Sequence, residues 1–260
     1  MAQTVFNRVE KKFMLTQDKF ENIWTDLMEQ MEVDAYGGHT ICNLYYDTPT
    51  DELIRNSIEK PVYKEKLRLR SYGVPDKDSD VFLEIKKKYD GIVNKRRIVL
   101  GLEEAYAYLD EHKRPDRKSQ ILNELDYFLS HYPLEPKVYL AYERVALFGK
   151  EDNEFRVTFD TNIRARTNHL RLEEGSDGAY ILEPGNHIME VKITNSTPLW
   201  FAKLLSKHGI VSSSFSKYGT FYKKQVEQTI KMNRAFQKNG LQESSSDSLT
   251  REGCLDYLTV

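Results

Sequence analysis

The chain has 260 residues, 40% of them hydrophobic and 30% charged, with 38 Lys and Arg against 40 Asp and Glu for a formal net charge of −2. That composition supports a sizeable core in one large domain, or one domain with a helical annex, and excludes disorder as the default state. It also excludes a uniformly basic protein, so any concentration of lysine and arginine has to be local.

In chain order, Val5 to Leu15 reads as a first strand, with Arg8, Glu10 and Lys12 on one face. From Thr16, a suitable N-cap, Phe20, Ile23, Trp24, Leu27, Met28 and Met31 recur at helical spacing. Gly37-Gly38 precedes a second strand, HTICNLYYDT. Strands are predicted over 63–71 and 81–88, and Asp90-Gly91 signals a hairpin with return strand 93–100. Residues 102–132 return to helical spacing, with Tyr106, Leu109, Ile121, Leu125, Phe128 and Leu129 as the buried stripe and Pro115 dividing two helices. Strands over 137–148, 154–166 and 187–194 follow, then a helix opening at Pro198 and ending on a Gly cap, and a last helix over about 219–235. The domain is expected to occupy 1–237, with 238–260, a polar KNGLQESSSDS run and its short apolar end, as a disordered tail. Trp24 and Trp200 are expected in the core. The pattern predicts an α+β fold, an antiparallel β-barrel tunnel of about eight strands with helices packed outside.

Cys42 and Cys254 are too few and too far apart for a disulfide framework or a metal cluster, which fits a reducing compartment. MAQTVFNRVEKKF has no apolar signal region and no run approaches the ~18 apolar residues of a membrane span, so a cytoplasmic location is expected. There is no P-loop and no HExxH spacing. The tyrosines alternate into apolar faces, which argues against a stacking platform for bases.

The unusual feature is a charge comb. KEKLRLRSYG sets Lys64, Lys66, Arg68 and Arg70 on one face of a strand. VFLEIKKK repeats the pattern with Glu84, Lys86 and Lys88, NKRRIVL with Lys95 and Arg97, and LAYERVAL with Tyr142 and Arg144. FRVTFD continues it with Arg156, Thr158 and Asp160, and IMEVKI with Glu190 and Lys192. An ordinary antiparallel sheet also alternates apolar and polar faces. Solvated faces, however, mix charges because like charges on neighbouring positions repel, and here cations outnumber carboxylates by roughly three to one. Gathered inside one lumen, each desolvated and unpaired cation would cost several kcal/mol. A chain of phosphates could offset that cost, since each charge-assisted bond to a phosphate oxygen contributes roughly 1.5–3 kcal/mol. Glu10, Glu84 and Glu143 read as ion-pair partners.

R-x-E-x-K in the first strand, NLYYDT, LRLRSYG, FLEIKKK with a downstream KRR, YER, R-x-T-x-D-T, E-V-K-I and S-K-Y appear in the order seen in VTC-type polyphosphate polymerase domains. The resemblance to this branch of the triphosphate tunnel metalloenzymes covers residues 4–230. It implies a tunnel that binds nucleoside triphosphate and polyphosphate, a divalent cofactor, Mn²⁺ or Mg²⁺, and transfer of the ATP γ-phosphoryl group to a growing chain. Carried over by motif, it implies catalytic roles for Arg68, Arg70, Lys86, Arg97 and Arg144. Phosphate or nucleotide contacts fall to Lys12, Lys88, Lys95, Tyr142, Lys192, Ser216 and Lys217, and metal ligation to Glu190. Arg8 stands where tunnel hydrolases carry the first carboxylate of E-x-E-x-K, which favours transfer over hydrolysis, and Lys88 replaces a histidine of eukaryotic relatives. The partners implied are ATP and polyphosphate, not nucleic acid, with a membrane protein as the route of export at the inner face of a membrane. The alternatives are a tunnel triphosphatase and a noncatalytic polyphosphate-binding module.

Overall fold

The computed structural model describes residues 9–249, apart from 91, 194 and 195. Arg8, the hairpin glycine Gly91, Cys254 and the last part of the expected tail, residues 250–260, lie outside the described residues.

Two units are separated within the last helix, residues 1–219 and 220–260. The first contains an antiparallel sheet whose main path is formed by β1 (Val9–Leu15), β3 (His39–Asp47), β4 (Tyr63–Tyr72), β5 (Asp80–Tyr89), β6 (Ile92–Gly101), β7 (Glu135–Gly149), β8 (Arg156–Arg166) and β10 (His187–Ile193). The order is β1-β10-β8-β7-β3-β4-β5-β6, and the short strands β2 (Met31–Val33) and β9 (Ala179–Tyr180) pair with β7 and β8. The expected tunnel sheet is present, but it is curled and not closed: β1 and β6 end the ladder, and no described pairing joins them. The edge of β1 is covered instead by the segment after residue 209. The Ser213 amide donates to the Lys12 carbonyl at 2.7 Å, and Phe13 bridges Ser212.

Alternation decides which way each strand faces. The apolar rows Leu67, Leu69, Val81, Leu83, Ile85 and Leu100 pack against α3 (Leu102–Glu111) and α4 (Gln120–His131), through Tyr106, Leu109, Leu125 and Phe128. The rows Phe13, Leu15, Val157, Phe159, Met189 and Val191 pack against α1 (Gln17–Gln30) and α5 (Leu199–Lys207), with Trp24 and Trp200 at the border of that core. With the outer face taken by helices, the charged rows have only the inside of the curl to occupy.

Thr16 caps α1 as its position predicts, accepting from the Lys19 amide. Three local features differ from the sequence reading. Met31–Val33 leaves the helix to pair with β7, because its β-branched end finds a strand edge. α2 (Glu52–Glu59) forms where the sequence shows only punctuation; the Asp47 carboxylate accepts from the amides of Thr48, Leu53 and Ile54 and so caps it from a distance. The second unit consists of the helix begun by α6 (Lys217–Leu249), which runs past residue 238 where a disordered tail is expected. Gly240 is the sole breaker in that stretch and no proline stops the helix.

Candidate functional site

The inner face is organised around two buried carboxylate hubs. Glu84 on β5 has a side chain only 1% exposed. Arg68 reaches its Oε2 at 2.7 Å, Lys95 its Oε1 at 2.5 Å, and Arg70 lies 3.8 Å away. The register makes this unavoidable, since Glu84 is paired with Arg68 on one side and Arg97 on the other. Burial by itself would raise the Glu84 carboxyl, but Arg68, Arg70 and Lys95 together hold it well below the usual range.

The second hub combines Asp160 on β8 with Glu190 on β10. Arg144 grips Asp160 with two bonds, at 2.5 and 2.7 Å, and also reaches Glu190 at 3.3 Å. Lys217 lies 2.5 Å from Asp160 and 3.8 Å from Glu190, and Lys12 is 2.9 Å from Glu190. Although burial opposes ionisation, Lys217 and Arg144 keep the Asp160 carboxyl below its usual value, and Lys217, Lys12 and Arg144 hold that of Glu190 well below its own. Reciprocally, Asp160 and Glu190 overcome the burial penalty on Lys217 and raise it. Glu190 is thus shared by three cations rather than paired with its strand neighbour Lys192.

Neutral groups aim the guanidiniums. Arg70 donates to Asn43 at 3.0 Å and to the Tyr142 hydroxyl at 3.4 Å, and Arg68 donates to the Tyr45 hydroxyl at 3.0 Å. Tyr142 also lies under Lys217, 4.5 Å from ammonium to ring centroid. Tyr45 carries two opposed influences, with burial pushing its phenol up and Arg68 and Lys66 bringing it down to about 8.

The other predicted residues join the same face. Lys86 is 3.4 Å from Glu10 across the curl. Arg97 lies over the Phe82 ring at 5.0 Å. Lys88 and Lys192 face inward by register: Lys88 lies opposite Lys64, and Lys192 lies between Glu10 on β1 and Arg156 on β8. Ser216 accepts from the Gly219 amide at 3.2 Å, capping α6, and stands 3.5 Å from Lys66. Burial and the neighbouring Lys86 and Lys64 bring Lys66 down to about 8, against the pull of Tyr45. Desolvation, with Arg68 and Arg70 pushing and Glu84 pulling, brings Lys95 down to about 7. The contrast with Glu84 is physical: that carboxylate feels three cations, whereas Lys95 feels one anion and two cations.

Sequence reasoning therefore brought the cations to one place but undercounted their partners. The comb is not bare, because Glu84, Asp160 and Glu190 neutralise its most buried members. Asn43 and Tyr45 were missed as site residues, and the signal available was their parity with Ile41 on a strand paired to β4. Lys217 arrives from far along the chain: the segment lying on β1 leads into α6, and Tyr218 anchors it by donating to Asp47 at 3.3 Å.

Among the described residues no group of three or more His, Cys, Asp or Glu could hold a metal ion. Asp160 and Glu190 offer two hard carboxylates in one cluster. They fit a Mg²⁺- or Mn²⁺-type ion that takes one or two protein oxygens and completes its shell with phosphate and water. No helix among the described residues is long and apolar enough to cross a membrane.

The architecture is shared with a solved structure. A putative adenylate cyclase from Bacillus halodurans, known from its crystal structure, superposes with a TM-score of 0.54 at 14% identity, covering 82% of this chain and 96% of the other. A putative adenylyl cyclase from Hippeastrum, described as revealing a dominant triphosphatase activity, superposes with a TM-score of 0.49 at 14% identity, over 84% and 96% of the two chains. In sequence, the chain is 24% identical to vacuolar transporter chaperone complex subunit 4 of Schizosaccharomyces pombe, over 68% of this chain and 30% of that protein, so it corresponds to under a third of the relative's length. The VTC domain model matches residues 7–226, the whole of the sheet and its helices, and the chain belongs to the VTC domain family.

Proposed function

We propose that the chain is a polyphosphate polymerase, which transfers the γ-phosphoryl group of ATP to the end of a polyphosphate chain lying along the inner face of the sheet. The observation that carries this reading is the convergence of Arg68, Arg70, Lys95, Arg144 and Lys217 on buried carboxylates inside the curl. Such cations are held in place before substrate arrives, which is what phosphoryl transfer requires of a protein.

In the reaction a terminal phosphate oxygen of the chain bonds to the γ-phosphorus, the bond from that phosphorus to the bridging oxygen breaks, and ADP leaves with the electron pair. Arg68 and Arg70, one pleat apart and aimed by Tyr45 and Asn43, would clamp successive phosphates by paired N–H bonds. Arg144 and Lys217 would meet the charge that develops on the transferred group, and Lys12, Lys86, Lys88, Arg97 and Lys192 would follow the chain. Glu190, with Asp160, would hold a divalent ion that supplies charge neutralisation at the phosphates. A protein partner, and with it a membrane route for export of the product, belong to the same proposal; the S. pombe relative's name, a subunit of a vacuolar transporter chaperone complex, supports assembly with other proteins.

The test is incubation of the purified chain with ATP and Mn²⁺, with the products resolved by gel. Long phosphate chains support the polymerase. Free orthophosphate without chains would identify a triphosphatase, and binding without turnover a polyphosphate-binding module.

A further inference from the structure

Two buried hydroxyls beside the second hub have no partner. Thr158 on β8 is 5% exposed, and its Oγ1 is buried without a hydrogen bond among the described residues. Ser213, in the segment that covers β1, likewise has a buried Oγ with none. Such hydroxyls are rare in folded proteins, because a buried donor without an acceptor has lost its bonds to water and gained nothing in return.

Register places the two on one row. Phe13 bridges Ser212 and the Ser213 amide donates to the Lys12 carbonyl, so Ser213 stands beside Lys12. Lys12 is the register partner of Glu190, and Glu190 that of Thr158. The row therefore reads hydroxyl, ammonium, carboxylate, hydroxyl, with an ion pair of 2.9 Å at its centre. Ala146, next to Thr158 on β7, adds no polar side-chain group.

The central ion pair explains why the hydroxyls are idle. Lys12 takes one oxygen of Glu190, with Lys217 3.8 Å from the same atom, and Arg144 takes the other at 3.3 Å. Lys12 is itself occupied by Glu190 and by the Phe215 carbonyl at 3.1 Å. A phosphate that draws Lys12 away changes both halves of the row. Cross-strand Cβ atoms lie about 4.5–5.5 Å apart, so Thr158 reaches Glu190 by turning its side chain, and Ser213 reaches an anion held by Lys12.

We infer that this row is a phosphate subsite that opens at its centre: one phosphate of the chain takes Lys12 together with the Ser213 hydroxyl, and Glu190, released by Lys12, accepts from Thr158 instead. Thr158 is then a positioning residue, which keeps a buried carboxylate hydrogen-bonded while its cation serves the substrate. This rests on the proposed phosphate-binding role of the inner face and adds to it two residues and an exchange of partners.

The experiment combines thermal unfolding of the empty chain with calorimetric binding of long-chain polyphosphate, in EDTA so that no divalent ion contributes. It compares the whole chain with its Thr158→Val, Thr158→Ser and Ser213→Ala variants. Thr158→Val replaces an idle hydroxyl by a methyl group of the same shape, so the melting temperature of the empty chain should stay equal or rise. Polyphosphate affinity should fall about tenfold in Thr158→Val and in Ser213→Ala, the order of one hydrogen bond to a charged group, and stay at the parent value in Thr158→Ser. Lys12→Met supplies a test without ligand. With Lys12 gone, Glu190 accepts from Thr158 in the empty chain, so Thr158→Val added to Lys12→Met should lower the melting temperature by several degrees where Thr158→Val alone does not. A lower melting temperature for Thr158→Val alone, polyphosphate affinity unchanged in Thr158→Val or Ser213→Ala, or no added effect in the Lys12→Met background would overturn the exchange of partners. If the unsubstituted chain binds no polyphosphate, the phosphate reading of the inner face is refuted, and the subsite with it, whatever the Lys12→Met pair shows.

Discussion

Replacing Glu84 by glutamine removes one charge and almost no volume, so its effect reads the electrostatics of the first hub. In the native chain this carboxylate is 1% exposed and compensates Arg68, Arg70 and Lys95. Removing one member of a buried ion pair typically costs about 3–5 kcal/mol, because the remaining charges stay desolvated. For a unit of this size each kcal/mol moves the melting temperature by about 2–4 °C, which gives a fall of about 6–20 °C. Glu84 opposes the desolvation that lowers Lys95 in the parent, so in the variant Lys95 falls further and relieves part of the strain by losing its proton. Phosphate should then substitute for the missing carboxylate. A ligand at a hundred times its Kd stabilises by about 2.7 kcal/mol; in Glu84→Gln, tripolyphosphate also finds cations with no internal competitor, so its stabilising shift should exceed that of the unsubstituted chain. The assay is thermal unfolding with and without tripolyphosphate. A drop under about 2 °C, or a ligand shift no larger than in the parent, would refute the view of Glu84 as the tunnel's internal counter-charge.

Other expectations follow from the same hubs. Lys95 and Lys66 sit at about 7 and about 8, below the ordinary lysine value, so the empty tunnel loses positive charge as pH rises through that range. Tripolyphosphate affinity should fall between pH 6.5 and 9 with proton uptake on binding, measurable by calorimetry in buffers of different ionisation enthalpy, and Lys95→Met should flatten the lower part. For stability the sign is opposite: the unfolded chain binds more protons between about 7 and the ordinary lysine value near 10.4, so these two groups make the fold more stable with rising pH across that window. Arg70→Ala combined with Arg97→Ala should abolish chain synthesis on gels while circular dichroism shows the fold intact, and activity equal to the parent would remove Arg70 and Arg97 from the mechanism. Asp47→Ala removes the acceptor for three amides and the Tyr218 hydroxyl. It should cost about 3 kcal/mol in denaturant unfolding and weaken tripolyphosphate binding through Lys217, whose helix Tyr218 anchors.

The legible part of the fold was the part governed by period. Alternation in KEKLRLRSYG and VFLEIKKK marked both strands and told the outward leucines from the inward cations, because a strand packed on one face leaves its other side chains a single direction. The stripe in 102–132 marked α3 and α4 for the same reason. What stayed hidden depended on distant partners. α2 is capped by Asp47 through the fold of the loop, β2 exists because β7 offers an edge, and the helix past residue 238 runs without any apolar stripe to announce it.

The sequence by itself determined that like charges would share one face of one sheet, since pleat parity is a local property of the backbone. Only the tertiary structure decided which charges neutralise one another. Strand pairing sets Glu190 directly opposite Lys12 and one strand beyond Asp160 from Arg144, and the segment along β1 carries Lys217 to Asp160, 57 residues away in the chain. Electrostatic pairing depends on distance in space and on exclusion of water, and neither is written in the spacing of residues along a strand.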